Sequence, residues 1–359
     1  MVTEAALRGY LLEEVLAWLL RSSGYELVSA AEEKGLPPEH RVLEQGPHGL
    51  TVRGRGARHQ ADALGQFRYV PPFSLPVRLF VEAKFTEGKV QLPTVRNGHG
   101  VVHDINENMV TTLQGPGPSR PRPRHHYSYA IFSTAGFSRN AQEYALAHQI
   151  SLVDLSMPDF ADLRELVRSV ARDVHGALAA LPAGEVPRPY RVRRHLRRLL
   201  LALVDEYMEY APDADAHPLP ESVTEPLGRL AEVLSSRSTL GLVLAFPSAP
   251  FVLGLASEDL YAFVDYARAH PTHDINLGRV QDGNHSVWRV RPAADPGAYA
   301  MTFSLPKQVE SWIRAQEEAV NERARSVKRR LLSTMTVYWL DGEHILTFQL
   351  RYAPVQLHQ

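Results

Sequence analysis

The segment VRLFVEAKF, residues 77–85, carries two charged side chains at the end of an otherwise apolar run. Read as a β-strand, it turns Val77, Leu79, Val81 and Ala83 to one face and Glu82 and Lys84 to the other, because successive strand side chains alternate. Charged groups on such a strand are costly to bury unless they pair or bind something. The strand-like run before it holds Asp62, which a hairpin could set across from Glu82. Two carboxylates converging in this way offer oxygen ligands to Mg²⁺, and a bound cation lowers the pKa of its water and neutralises charge on a phosphate. A lysine two residues beyond the glutamate could orient that water or stabilise developing negative charge. A structural salt bridge is the other reading of the same residues. The Glu-x-Lys spacing does not decide between them, since Glu32/Lys34 and Glu87/Lys89 share it in polar stretches. The apolar strand and the upstream Asp62 are what set Glu82 and Lys84 apart.

Other groupings are less distinctive. Arg53, Arg55 and Arg58 precede His59; Arg120, Arg122 and Arg124 precede His125 and His126; and six arginines crowd residues 188–198. With a net charge of −1 there is no global positive field, so these are local patches that fit either a phosphate backbone or a solvated surface. His99 and His103 stand at i, i+4 with Glu107 one turn on, a spacing that could bind zinc. The metalloprotease helix needs a Glu directly after the first His, and that position is Gly100. A helix packed beside the Glu82 strand, with Arg96 or His103 reaching substrate, is the better reading. No G-x-S-x-G and no G-x-x-x-x-G-K-[ST] occurs, which argues against a serine hydrolase of that signature and against ATPase activity. The absence of cysteine excludes disulfides, thiol nucleophiles and thiolate metal sites and fits a cytoplasmic setting. The first 25 residues are apolar but interrupted by Glu4, Arg8, Glu13 and Glu14, so they read as neither a signal peptide nor a membrane span.

These residues need a scaffold, and the hydrophobic periodicity supplies one. A chain of 359 residues predicts about two domains. Helical spacing of Leu7, Leu11, Val15, Trp18 and Leu19 predicts a helix over 3–23, stopped by Gly24, with a strand at 25–29. After a polar, Pro-containing loop come strands at 60–69 and 77–85, a helix over 95–113, and an exposed loop over 115–126 whose prolines forbid helix and central strand. A strand at 127–133, a helix capped by Ser138 and a strand at 151–155 follow. The order predicts an α/β fold, a mixed sheet with helices on both faces, over residues 1–160. Residues 161–237 read as a helical connector with a linker at 211–220. Residues 238–359 read as an α+β unit containing hairpins and one long helix over 307–332, a recognition or partner-binding domain. The cations ending that helix, among them Arg323, Lys328 and Arg330, suit the helix dipole or a binding surface.

Beyond the pattern, several stretches resemble Mrr-like restriction endonucleases of the PD-(D/E)XK nuclease superfamily. LEEVLAWLLRSSGYELV (12–28) is similar to that family's opening helix and strand, HQADALG and FVEAKF to its Asp and (Glu/Gln)-x-Lys strands, and residues 129–155 to its closing strand, Gly-Phe turn, helix and strand. The resemblance covers roughly residues 5–157 in the correct order. It implies a restriction-endonuclease-like sheet and a Mg²⁺-dependent endonuclease acting on DNA, with Mn²⁺ able to substitute, in restriction or anti-phage defence. It also implies that Asp62, Glu82 and Glu13 ligate metal and that Lys84 is catalytic. Glu13, rather than Glu14, stands where the family has its helix-borne acidic residue. Where the family has a glycine-rich run, this chain has Arg58, His59 and Gln60, which could touch a phosphate or form part of a hairpin. A catalytically inactive module binding nucleic acid or a protein is the alternative. RNA as a partner, a protein partner at the C-terminal unit and homo-oligomerisation complete the expectations.

Overall fold

Helix α1 (Glu4–Ser22) begins where the Thr3 side chain accepts the Ala6 N–H, and it ends before Gly24, whose φ of 89° turns the chain. Leu7, Leu11, Val15 and Leu19 recur at helical spacing and are buried, so one face of α1 lies on the core. The structure, a computed structural model, describes residues 2–38, 41–46, 49–68, 70, 73–107, 124–201, 218–236, 241–249, 251–257, 259–282, 285–342 and 344–352.

Strands β1 (Tyr25–Leu27), β5 (Ala63–Phe67), β6 (Val77–Lys84), β7 (His126–Ser133) and β8 (Ser151–Asp154) form a five-stranded sheet in the order β1-β5-β6-β7-β8. The β1/β5 and β5/β6 pairs are antiparallel, and the β6/β7 and β7/β8 pairs are parallel. Parallel neighbours need crossovers, and α2 (Leu92–Asn106) and α3 (Arg139–Ala147) supply them. Ser138 caps α3 through the Ala141 N–H, as its sequence position predicts. Alternation along β6 splits the sheet faces. Val81 joins α1 in one core, whereas Phe80 joins Val95, Val101 and Ile105 of α2 in another. Glu82 and Lys84 therefore fall on the α2 side.

Between β1 and β5 lies a second, three-stranded sheet, β2 (Leu43–Gly46), β3 (Gly49–Arg53) and β4 (Arg58–Gln60). The loop expected there is thus partly a meander whose Leu43, Leu50 and Val52 are fully buried. The strand expected over 60–69 is divided, since Gln60 belongs to β4 and Ala63 starts β5. Residues 108–123, with most of the expected proline-rich loop and the end of the helix expected to reach 113, lie outside the described residues, as do most of the linker at 211–220.

The expected connector contributes α4 (Ala161–Ala179), α5 (Pro189–Leu201) and α6 (Glu221–Ser236). Their buried residues, among them Val167, Leu196 and Leu227, share one core with α1. In the expected α+β unit, seven strands from residue 242 onward close into a barrel. Its strands are β9 (Leu242–Pro247), β10 (Leu253–Ala256), β11 (Thr272–Asp282), β12 (His285–Pro292), β13 (Met301–Phe303), β14 (Thr334–Asp341) and β15 (His344–Tyr352), in the order β10-β13-β12-β11-β15-β14-β9. Antiparallel β9/β10 pairing closes the ring, and β11/β15 is its parallel pair. Trp288, Phe303 and Phe348 fill it together with Phe263 of α7 (Leu260–Ala269). The long helix expected over 307–332 is two helices, α8 (Lys307–Arg314) and α9 (Val320–Arg330). Arg323 donates across the break to the Trp312 carbonyl, which also accepts the Ala315 N–H at the end of α8.

The chain is thus mixed α/β. Among the described residues no helix is long and apolar enough to cross a membrane.

Candidate active site

The antiparallel register pairs Ala63 with Val81, so one step outward Asp62 faces Glu82, as the hairpin predicted. Pairing stops there, and the Asp62 carboxylate takes over the ladder: its Oδ2 accepts the Ala83 N–H at 2.8 Å. Glu82 is held from two sides. Lys84 Nζ lies 2.6 Å from Oε1, and the Tyr129 hydroxyl, on the neighbouring parallel strand, donates to Oε2 at 2.6 Å. Tyr129 is fixed in turn by stacking on Phe80 at 5.1 Å between ring centroids.

These groups line an open cleft of about 350 Å³ whose rim includes Arg58, His59 and Gln60 of β4 and Asn97 and Val101 of α2. Of the expected substrate contacts, those three β4 residues therefore stand at the cleft. Arg58 is paired with Glu44 at 2.8 Å, and His59 Nε2 lies 2.7 Å from Asp104 Oδ2. Asp104 also accepts the Gly56 and Ala57 N–H groups, so it fixes the β3–β4 turn against α2. Arg96 and His103 are not among the cleft residues. Arg96 lies over the Tyr144 ring, and His103 is exposed beside His99. Their helix presents Asn97 to the cleft instead, because Arg96 and His103 lie on other faces of α2.

Glu13 reaches the same region from α1, and Asp62 is one of the charges acting on it. Glu13 Oε2 lies 2.5 Å from Arg193 of α5. Glu14, fully buried, accepts from Arg193 Nε at 2.8 Å and from Arg197 Nε at 2.5 Å. The two acidic neighbours thus share Arg193, Glu14 takes Arg197 as well, and Glu13 is the one on which the Asp62 charge also acts. Asn97, Tyr129 and Arg193 escaped the sequence reading. Tyr129 carried a signal, since alternation along β7 places it on the same sheet face as Glu82; Arg193 carried none beyond its basic cluster.

Burial dominates the electrostatics. It pushes the Glu13 carboxyl up to about 8 even though Arg193 pulls it down. Burial also raises Asp62, outweighing the Ala83 hydrogen bond and the Lys84 charge. For Lys84 burial acts downward, but the hydrogen bond and charge of Glu82, with Asp62 and Glu13, win, and its ammonium is held more firmly than usual. Burial and the Glu82 carboxylate raise Tyr129, which keeps its proton and can donate it in a hydrogen bond. The cleft thus holds protonatable carboxyls beside a fixed cation, a combination suited to moving protons and stabilising negative charge.

Asp62 and Glu82 are oxygen donors of the type a hard cation takes, and Mg²⁺ commonly uses only one or two carboxylates and several waters. Among the described residues, no group of three or more His, Asp or Glu side chains is arranged to hold a metal ion. Glu13, against Arg193, does not complete such a set.

Comparison with known proteins gives a different relationship from the one the residues suggested. No protein-family profile matches the chain. Two adenine deaminases from strains of Klebsiella pneumoniae are each 27% identical to it, over 187 and 186 residues, which cover 50% and 49% of this chain and 30% of each relative. The chain thus spans less than a third of the length of these relatives. A crystal structure of a protein of unknown function, AF1548, aligns with 63% of this chain and 98% of its own at 16% identity, with a TM-score of 0.32. The Mrr-like PD-(D/E)XK assignment gives way before the adenine deaminase similarity, together with the DNA endonuclease activity, the restriction and anti-phage setting, and the inactive nuclease-fold alternative that it implied. What the chain is similar to in sequence is a pair of adenine deaminases.

Proposed function

We propose that this chain is a hydrolase acting on a nucleobase, with Asp62, Glu82 and Lys84 as its working residues and Glu13 behind them. The observation that carries the reading is the convergence of Asp62 and Glu82 beside Lys84 in an open polar cleft. The sequence similarity to adenine deaminases supports the substrate class. Hydrolytic deamination adds water to the ring carbon that bears the amino group, then breaks the C–N bond and releases ammonia. One group must accept a proton from water and another must protonate the leaving nitrogen. Asp62, whose carboxyl is raised by burial, is suited to exchange that proton, and the Lys84 ammonium to stabilise charge that builds on the ring. Glu82, fixed by Lys84 and Tyr129, positions both.

A divalent cation, Mg²⁺ with Mn²⁺ able to substitute, is proposed at Asp62 and Glu82, where it would supply Lewis acidity when bound. A cytoplasmic location is proposed on the absence of cysteine. The barrel is proposed as the partner-binding part of the chain.

The deciding experiment follows ammonia release from adenine, with EDTA-treated protein before and after addition of Mg²⁺ or Mn²⁺. Asp62→Asn and Lys84→Met are expected to lower turnover by about 10²–10⁴-fold. Wild-type protein that releases no ammonia from adenine under either condition, or variants that retain full activity, would overturn the reading.

A further inference from the structure

On the outer surface of the barrel, two arginines point from one strand into a second cleft. Arg289 and Arg291 of β12 are separated by one residue, so both side chains leave the same face, with backbones about 6.6 Å apart at the usual strand rise. The intervening Val290 is buried in the barrel, which confirms the outward orientation of its neighbours. Both arginines are exposed, and neither has an ion-pair or hydrogen-bond partner among the described residues. Other barrel arginines differ: Arg279 is tied to Glu310 at 2.6 Å and Arg351 to Asp274 at 3.1 Å.

The cleft they line is about 760 Å³, within the range of small-ligand sites. Thr302, paired with Arg289 across the β12/β13 ladder, places a hydroxyl beside it. On the other flank Arg289 pairs with Gly278, where an added Cβ would meet nothing within 4 Å. That side is therefore open to an incoming group. The cleft also contains two carboxylates, Asp162 at the start of α4 and Asp259 at the N-cap of α7, where Asp259 Oδ1 accepts the Ala262 N–H. One cleft thus offers two unengaged guanidiniums together with carboxylates.

From this arrangement we propose that the cleft binds a small phosphorylated ligand of nucleotide size. Guanidiniums match phosphate oxygens in charge and in planar donor geometry. Two of them at this spacing can hold a diphosphate or a phosphate and its neighbour. The carboxylates accept hydrogen bonds, so they suit sugar hydroxyls or an exocyclic amino group on the same molecule. A surface meant only for a polyanion would gain nothing from acidic residues inside it, and this favours a small ligand with both characters over a nucleic-acid strand.

The test uses the full chain and titration calorimetry with ADP, pyrophosphate and a twelve-residue oligothymidylate. Wild type is expected to bind ADP, and the double variant Arg289→Gln/Arg291→Gln to bind it at least tenfold more weakly. Because both residues are exposed and unpaired, the variant's thermal unfolding should match that of wild type. A control variant, Arg325→Gln/Arg329→Gln on the exposed side of α9, should bind as wild type does. Failure of wild type to bind ADP, equal loss in the control, or binding of the oligonucleotide but not ADP would each overturn the proposal. Pyrophosphate binding that is lost in the double variant would support it by locating the recognised group.

Discussion

The hydroxyl of Tyr129 donates to Oε2 of Glu82 across the parallel β6/β7 pair at 2.6 Å. The other carboxylate oxygen faces Lys84, so Glu82 has little freedom left. Tyr129→Phe keeps the ring and its stacking on Phe80 but removes that donor. The carboxylate then loses a charge-assisted hydrogen bond, and a loss of about 1–3 kcal/mol in unfolding free energy is expected from urea titration. Turnover should fall as well, by up to about 100-fold, since a displaced catalytic group is expensive.

Gly98 tests the same support from the other side. A Cβ at this position of α2 would come within 2.7 Å of the Tyr129 ring, which is buried and stacked and cannot yield. Helix propensity alone favours alanine over glycine by about 1 kcal/mol. Overpacking costs about 1–3 kcal/mol, so Gly98→Ala is expected to be destabilising on balance. A melting temperature at or above wild type would show that Tyr129 can move.

Arg193 is the cation shared by two buried neighbours, Glu13 at 2.5 Å and Glu14 at 2.8 Å, with Arg197 a second partner of Glu14. Arg193→Met removes their shared cation while conserving most of the volume. Breaking a buried pair from one side costs about 3–5 kcal/mol, because the remaining charge has no water. Chemical denaturation of Arg193→Met should show a loss of this size. Adding Glu14→Gln should restore part of it, and additive losses in the double variant would refute the shared role.

Glu13 also fixes a pH dependence. Its folded carboxyl is raised by burial to about 8 from an ordinary value of 4.5, so the folded state holds a proton that the unfolded chain releases. Its contribution is complete below 4.5, declines as pH rises, and is gone once pH passes through about 8. Unfolding free energy measured from pH 5 to 9 should therefore fall more steeply for wild type than for Glu13→Gln. Parallel curves would exclude Glu13 as the source.

Much of the site was legible because it depends on short-range rules. Alternation along 77–85 put Glu82 and Lys84 on one face, and the hairpin brought Asp62 opposite Glu82. Ser138 was legible as a cap for a similarly local reason. Glu13 and Glu14 were not separable by periodicity, since both lie near the buried stripe of α1; their environments depend on Arg193, which meets both, and on Arg197, which meets Glu14, and Arg193 is 179 residues away from Glu14. The β2–β3 hairpin was hidden because its buried Leu43, Leu50 and Val52 are spread among polar residues, Gly and Pro. Barrel closure depends on pairing β9 not only with its neighbour β10 but with β14, far along the chain, and no local pattern encodes that second edge. Resemblance misled where it was asked for more than the residues themselves support: it supplied a substrate and a biological setting that the adenine deaminase similarity does not share.

The bridging of Glu13 and Glu14 to α5 also bears on how this chain can be divided. A fragment ending after β8 would keep Asp62, Glu82 and Lys84 in sequence but leave both acidic residues of α1 facing water or each other, without counter-charge. The first 160 residues are therefore not a transplantable cassette. Grafting this cleft onto another scaffold requires α5 to travel with it, and any natural rearrangement that separates the two must replace both arginines or both glutamates at once.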